Sequence, residues 1–365
     1  MPDAALVFST RAVVVDHREG EAWLIARDDG AAWFERTAAA VEAWAAEGEE
    51  APPPPPVAPA LEFAQVRGRA RYLDDVGGAQ RDIVAGESYE LCLTDKWRAA
   101  RDSGAASHEP LSLYRRLRRR NPAPYAAYLE FDAGAALRGG HGASGAGRPA
   151  VAVLCSSPER FLRVDAAGRI EAKPIKGTRA RGEDDAAAAA ALESDAKELA
   201  ENLMIADLLR NDIGRVALPG SVDVPSFASL ETFATVHQLV TTVVGRLPPG
   251  TPTLDALVSA YPPGSMTGAP KRRSCEILTG LEDGAARGPY SGAIGFVSLS
   301  GAIDLNVAIR TAVVTPGAVA VGAGGAVTAL SDPAAEWAEA RLKAAAVIEG
   351  VGGAILGGRG EACFS

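Results

Sequence analysis

The sequence predicts an α+β fold rich in antiparallel sheet. Two observations carry this. Strand-like segments follow one another without an intervening helix, as in YSGAIGFVSL (290–299), LNVAIRTAVV (305–314) and AVAVGAG (318–324), and helices flank such runs instead of alternating with every strand. No segment recurs at a fixed short period, which excludes a repeat array.

The 365 residues are 47% hydrophobic and 23% charged, enough to bury a sizeable core. A net charge of −9 points away from nucleic acid and toward an enzyme; an anionic ligand would need cations gathered locally. Cys92, Cys155, Cys275 and Cys363 form no CxxC pair, which argues against zinc and for free thiols in a reducing cytoplasm. The N-terminus has no signal-peptide pattern and no apolar run reaches membrane-spanning length, so no membrane association is expected.

Taken in order, short strands are expected near Ala12–Val15 and Ala22–Ile25, with a helix over 31–47. Five consecutive prolines within 51–60 cannot enter a helix or central strand and form an extended spacer. This divides the chain into an N-terminal region (1–60), a main domain (61–349) and a glycine-rich tail (350–365). The main domain opens with a helix from Tyr72 to about Gly86, a strand at 88–94, a basic helix at 110–120 and a strand at 127–131. Strands at 151–157 and 160–164 follow, then one long helix over 184–213 and a strand within 233–247. Helices at 253–261 and 270–281 precede the late strands, and a helix at 333–350 closes the domain.

Several residues could carry chemistry. Lys176 sits in the tight turn Pro174–Thr178, a candidate nucleophile or charge. Glu198 and Glu201 are three apart on a helix, hence on one face, and Glu336 and Glu339 repeat that spacing with Lys343 one turn on. Four glutamates on two helices could flank Mg²⁺, which prefers oxygen ligands; exposed glutamates on alanine-rich helices are the ordinary alternative. The turns at 262–271, with Lys271, and at 321–327 could present backbone N–H groups to an anion, or be plain turns. Arg310 lies in an apolar strand, where a planar guanidinium suits a ligand carboxylate better than a structural ion pair. His237 alone reads as a satisfied core histidine, and Glu159 alone as a turn cap.

Nine blocks in one order, SSPERFL, PIKGTRARG, KELAENLMIADLLRNDIGRV, TVHQLVTTVVG, GSMTGAPK, PYSGAIGF, AIRTAVV, GAGGAV and SDPAAEWAEARLKA, resemble the chorismate-utilising enzymes. The resemblance implies two large antiparallel-rich sheets packed as a sandwich with helices outside. Lys176, where anthranilate synthases usually carry alanine, resembles the aminodeoxychorismate synthase branch, component I. In that branch the lysine attacks C2 of chorismate and displaces the 4-hydroxyl; ammonia then adds at C4 and expels the lysine. Lysine attacks only when neutral, so a lowered Lys176 pKa is expected.

By the same resemblance, Glu159 is the general acid for the departing hydroxyl. Glu201 and Glu339 are Mg²⁺ ligands, while Glu198 and Glu336 hold metal-bound waters. Tyr290 and Arg310 grip the enolpyruvyl carboxylate. Thr178, Ser265, the turn Gly322–Gly324 and Lys343 line the substrate, and His237 lies beside the ring. Glu90 stands where water-activating relatives carry a lysine, which argues against hydroxylation of chorismate. Chorismate is the expected substrate, with ammonia delivered by a separate glutamine amidotransferase subunit. Anthranilate synthase component I and a non-catalytic chorismate binder remain the alternatives.

Overall fold

A computed structural model of the chain describes residues 4–27, 30–48, 59–102, 104–132, 149–182, 184–233 and 236–356. The proline run, the glycine-rich segment at 133–148 and the last nine residues lie outside these. The chain divides into two compact units, Met1–Pro53 and Pro54–Ser365. In the first, β1 (Arg11–Asp16) and β2 (Glu21–Ala26) form an antiparallel hairpin, followed by α1 (Ala31–Glu47).

The second unit opens with β3 (Leu61–Gln65), α2 (Gly68–Val84), β4 (Glu90–Ala100), α3 (Pro110–Arg120), β5 (Tyr125–Asp132) and β6 (Pro149–Ser157). Next come β7 (Arg160–Val164), β8 (Arg169–Lys173), β9 (Ile175–Ala180), α4 (Asp185–Glu193) and α5 (Ala196–Gly214). They are followed by β10 (Asp223–Thr232), β11 (Val236–Arg246), α6 (Thr253–Ala260), β12 (Gly268–Ala269) and α7 (Lys271–Leu281). The unit ends with β13 (Ala293–Val297), β14 (Ile303–Val307), β15 (Thr311–Thr315), β16 (Ala318–Val327), α8 (Pro333–Gly350) and β17 (Gly353–Ile355).

The strands make two sheets. One runs β10-β11-β8-β7-β14-β13 with β9 also on β11; the other runs β17-β3-β4-β16-β15-β6-β5 with β12 also on β4. All ladders are antiparallel except β17 on β3. Alternation along β4 shows how the layers stack. Leu91, Leu93, Trp97 and Ala99 enter a core with residues of α2, α3, α7 and α8, whereas Cys92 on the opposite face enters the core of the other sheet with α5 and α6. Each fully buried leucine there, such as Leu113 or Leu117, contributes about 2 kcal/mol of transfer free energy. Among the described residues no helix is long and apolar enough to cross a membrane.

Two of the expected elements are interrupted. The helix expected over 184–213 is two helices, because Ser194–Asp195 interrupts it; the Asp195 carboxylate caps α5 by accepting from the Lys197 and Glu198 N–H groups at 3.0 and 3.2 Å. The strand expected over 305–314 is also broken. β14 belongs to one sheet and β15 to the other, and the chain passes between them through Arg310, whose φ of 51° ends the extended run. The step from β6 to β7 makes the same passage through Pro158 and Glu159. The two passages are tied together: Ser156 N–H donates to the Arg310 carbonyl and Val307 N–H to the Glu159 carbonyl, each at 3.1 Å.

Asp195→Ala removes the α5 cap and is expected to lower stability by about 1 kcal/mol, read as a shift in the urea midpoint at unchanged slope.

Candidate active site

Lys176 lies in strand β9, not in a tight turn. The tight feature is Gly177 beside it, with φ of 83°, where a Cβ would stand 3.1 Å from Glu198 Oε2. Lys176 Nζ donates to Glu90 Oε1 and Glu201 Oε2, both at 3.2 Å, so its ammonium joins β9, β4 and α5. Its carbonyl accepts from Asn202 Nδ2 at 3.0 Å, and Asn202 Oδ1 accepts from Thr241 at 3.2 Å. Burial pulls the Lys176 pKa down, but Glu90 and Glu201 outweigh it and hold the value above the usual lysine range. The expected depression is therefore reversed: two carboxylates face the amine where neighbouring cations were anticipated.

Glu159, at the β6–β7 passage, is 6% exposed. It borders a narrow crevice lined by Phe161, Pro174, Ile205, Leu209 and Ser265. Burial raises its carboxyl pKa to about 7, against the opposing hydrogen bond from Ser265. Starting from its ordinary 4.5, this carboxyl keeps its proton in the folded chain up to about pH 7. Its stabilising contribution is thus complete below pH 4.5 and lost as pH rises through about 7.

Arg310 sits at the neighbouring passage, and no ion pair to its guanidinium occurs among the described residues; burial pulls its pKa down, and Tyr290 lies close enough to oppose that. Tyr290 is itself buried, which pushes its phenol up. Its ring occupies the space a side chain at residue 322 would fill: a Cβ on Gly322 would be 2.3 Å from Tyr290 Cδ1. The expected turn at 321–327 is strand β16, whose backbone groups pair with β4, so it forms no anion nest. Gly324 is needed because a Cβ there would meet the Leu93 carbonyl at 2.1 Å, and its own carbonyl accepts from Lys343 at 3.1 Å. Lys271 is likewise committed elsewhere, donating to Asp212 Oδ2 at 2.7 Å and the Ala260 carbonyl at 2.6 Å.

The glutamates of α5 and α8 share one electrostatic neighbourhood. Lys197 lies 3.8 Å from Glu201 Oε1 and also acts on Glu336 and Glu339. Burial raises Glu198, with Glu201 adding to it, and burial raises Glu336 against a hydrogen bond from Ser331. Burial also pushes Glu339 up, but Lys343, 2.5 Å from its Oε1, outweighs this and the net direction is down. Among the described residues no group of three or more His, Cys, Asp or Glu is gathered to hold an ion. The donor set nevertheless suits Mg²⁺: it is all carboxylate oxygen, and Glu336 Oε2 is buried with no hydrogen-bond partner.

His237 is a satisfied histidine, with Nδ1 2.9 Å from Thr232 Oγ1 and Nε2 2.8 Å from Asp185 Oδ1. Thr178 Oγ1 accepts from Gln238 at 3.3 Å. Sequence reasoning missed three residues. Glu90 was read only as a missing lysine, yet it holds Lys176. Asn202 anchors the Lys176 backbone; its position four after Glu198 on the same helix was the available signal. Arg287 binds the Met266 and Cys92 carbonyls at 2.6 and 2.8 Å and Ser291 Oγ at 3.0 Å, next to Ser265 and Tyr290. No local pattern marks it.

Gly322→Ala is expected to destabilise by about 1–3 kcal/mol through overpacking against Tyr290. Gly317→Ala, where a Cβ meets nothing within 4 Å, is the near-neutral control. Urea unfolding of both variants checks this.

Comparison with known proteins agrees with this architecture. The chain matches the family described as chorismate binding enzyme over residues 1–349. It is 46% identical over 356 residues to aminodeoxychorismate synthase of Streptomyces griseus, covering 95% of this chain and 46% of that protein. It is 35% identical over 342 residues to aminodeoxychorismate synthase component 1 of Salmonella typhimurium, covering 93% and 68%. The chain thus spans about half the length of the Streptomyces relative. Among solved structures, anthranilate synthase component I of Streptococcus pneumoniae superposes with a TM-score of 0.74 at 29% identity, over 92% of this chain and 71% of that one. In its two-sheet fold, and in nearly its whole length, the chain belongs to the family of chorismate-binding enzymes.

Proposed function

We propose that the chain aminates chorismate at C4 with ammonia, giving 4-amino-4-deoxychorismate. The observation that carries this reading is Lys176, a buried amine held between two carboxylates near a protonatable Glu159. The Streptomyces and Salmonella relatives, named for aminodeoxychorismate synthesis, support it.

In the proposed reaction Lys176 first loses a proton, for which Glu90 and Glu201 are acceptors at 3.2 Å. The Nζ lone pair forms a bond to C2, both ring double bonds shift by one place around the ring, and the C4–O bond breaks. Glu159 gives its proton to that oxygen, so water departs. Ammonia then forms a bond to C4, both double bonds shift back, and the C2–N bond breaks with its electron pair returning to Lys176. Splitting one allylic displacement into two gives each step a good nucleophile.

Arg310 and Tyr290 hold the enolpyruvyl carboxylate in this reading, since no ion pair to the guanidinium occurs among the described residues. Ser265 orients Glu159, while Thr178, Lys343 and the Gly322–Gly324 backbone lie along the substrate. His237 fixes α4 through Asp185. Glu201 and Glu339 would hold Mg²⁺, with Glu198 and Glu336 on its waters; when bound, the ion supplies counter-charge for the ring carboxylate. A separate glutamine amidotransferase supplies the ammonia. The residues divide as 1–60, 61–349 and 350–365, with the chemistry in the middle segment.

Incubation with chorismate, Mg²⁺ and ammonium is expected to give 4-amino-4-deoxychorismate. Anthranilate as the product would instead favour the reaction named for the Streptococcus structure. Lys176→Ala is expected to remove a chorismate adduct seen by intact mass in the absence of ammonia; an adduct that persists excludes the covalent role.

Glu159 must carry its proton to act. Turnover is therefore expected to fall as pH rises through about 7, the limb set by its raised pKa. Glu159→Gln should lose about a hundredfold or more in rate and the limb with it. A wild-type rate that is flat between pH 6 and about 8 would refute this assignment.

A further inference from the structure

Glu90 has one carboxylate oxygen committed and one to spare. Its place is fixed from both sides: the Glu90 carbonyl accepts from Ser88 Oγ at 2.8 Å, and β12 pairs Ala269 against it. The side chain points to the inter-sheet face with Cys92 and is 1% exposed. Oε1 accepts from Lys176, while Oε2 is buried and has no hydrogen-bond partner among the described residues. A buried carboxylate oxygen without a donor keeps its full desolvation penalty, which a ligand donor would offset.

Neighbouring cations do not supply the donor. Lys176 is shared between Glu90 Oε1 and Glu201, and Lys343 is engaged by Glu339 and the Gly324 carbonyl. The missing donor must be small, since the residue is enclosed, and must not be an anion, which Glu90 and Glu201 together repel. It must also lie beside Lys176. Ammonia meets these conditions: one N–H can bond Oε2 while the lone pair stays free to attack carbon.

We propose that Glu90 Oε2 is the docking point for the ammonia nucleophile. This rests on the amination reading above and assigns its second substrate a place. Glu90 then has two partners, Lys176 on one oxygen and the incoming nitrogen on the other, which brings the expelled amine and the entering amine to one carboxylate.

The test is steady-state kinetics with ammonium varied at saturating chorismate and Mg²⁺, for wild type, Glu90→Gln and Glu90→Leu. Glu90→Gln keeps the shape of the side chain and one acceptor oxygen, so it remains informative if the leucine variant does not fold. The expected result is a KM for ammonia raised tenfold or more in each folded variant. Because Glu90 also accepts the Lys176 proton, turnover and adduct formation are expected to fall in both variants; the ammonia KM is the readout that separates docking from that role, with the KM for chorismate followed beside it. An unchanged ammonia KM in both folded variants, with only turnover reduced, means that Glu90 acts solely through Lys176 and overturns the proposal. A wild type that aminates while the variants keep its ammonia KM overturns this inference alone. A wild type that makes no aminated product overturns the reaction and the docking point together.

Discussion

One nitrogen atom joins three layers of this protein. Lys176 comes from the sheet of β7, β8 and β11, Glu90 from the sheet of β4, and Glu201 from helix α5, and their side chains are 12%, 1% and 12% exposed. Such a group cannot be dismantled in parts. Removing one partner of a buried ion pair costs about 3–5 kcal/mol because the other charge is left uncompensated. A surface pair such as Arg272–Glu276, with side chains 95% and 49% exposed, contributes about 0–1 kcal/mol. Much of the local design serves that nitrogen. Gly177 lets the strand turn under Glu198, and Asn202 binds the Lys176 carbonyl to α5.

Around this point the protein collects more negative charge than its own cations neutralise. Among the described residues, Glu90 and Glu336 each keep a buried oxygen without a hydrogen-bond partner, and burial raises Glu198 and Glu336. Lysines 176, 197 and 343 offset part of it. Opposite in character is the Arg310 side, where no ion pair to the guanidinium occurs among the described residues. A carboxylate group matches the Arg310 side, whereas the glutamate side repels one unless a cation stands between them. Charge complementarity of this sort orients a small ligand more than it tightens it.

Much of the site was legible in the sequence because its residues sit in short strings with distinctive side chains: Lys176 before a glycine, and glutamates three apart on two helices. The strand pattern likewise announced antiparallel sheets. What could not be read is whatever depends on tertiary pairing. Whether VGAGGAV is a turn or a strand turns on β4 lying beside it, since glycine permits both. Lys271 looked free because Asp212, its partner, is 59 residues away. The pKa of Lys176 was anticipated in the wrong direction because Glu90 is 86 residues distant in sequence and its side chain is identified only by the fold. The break at Ser194–Asp195 has a local cause, a capping residue in an alanine-rich run.

The two passages of the chain between the sheets have a consequence for how the molecule comes apart. β6 and β15 belong to one sheet, β7 and β14 to the other, and the links between them bond to each other at Ser156–Arg310 and Glu159–Val307. Melting one sheet while the other keeps its strands in register would have to break these links, so the larger unit is expected to unfold as one cooperative block with Glu159 and Arg310 at its stitching.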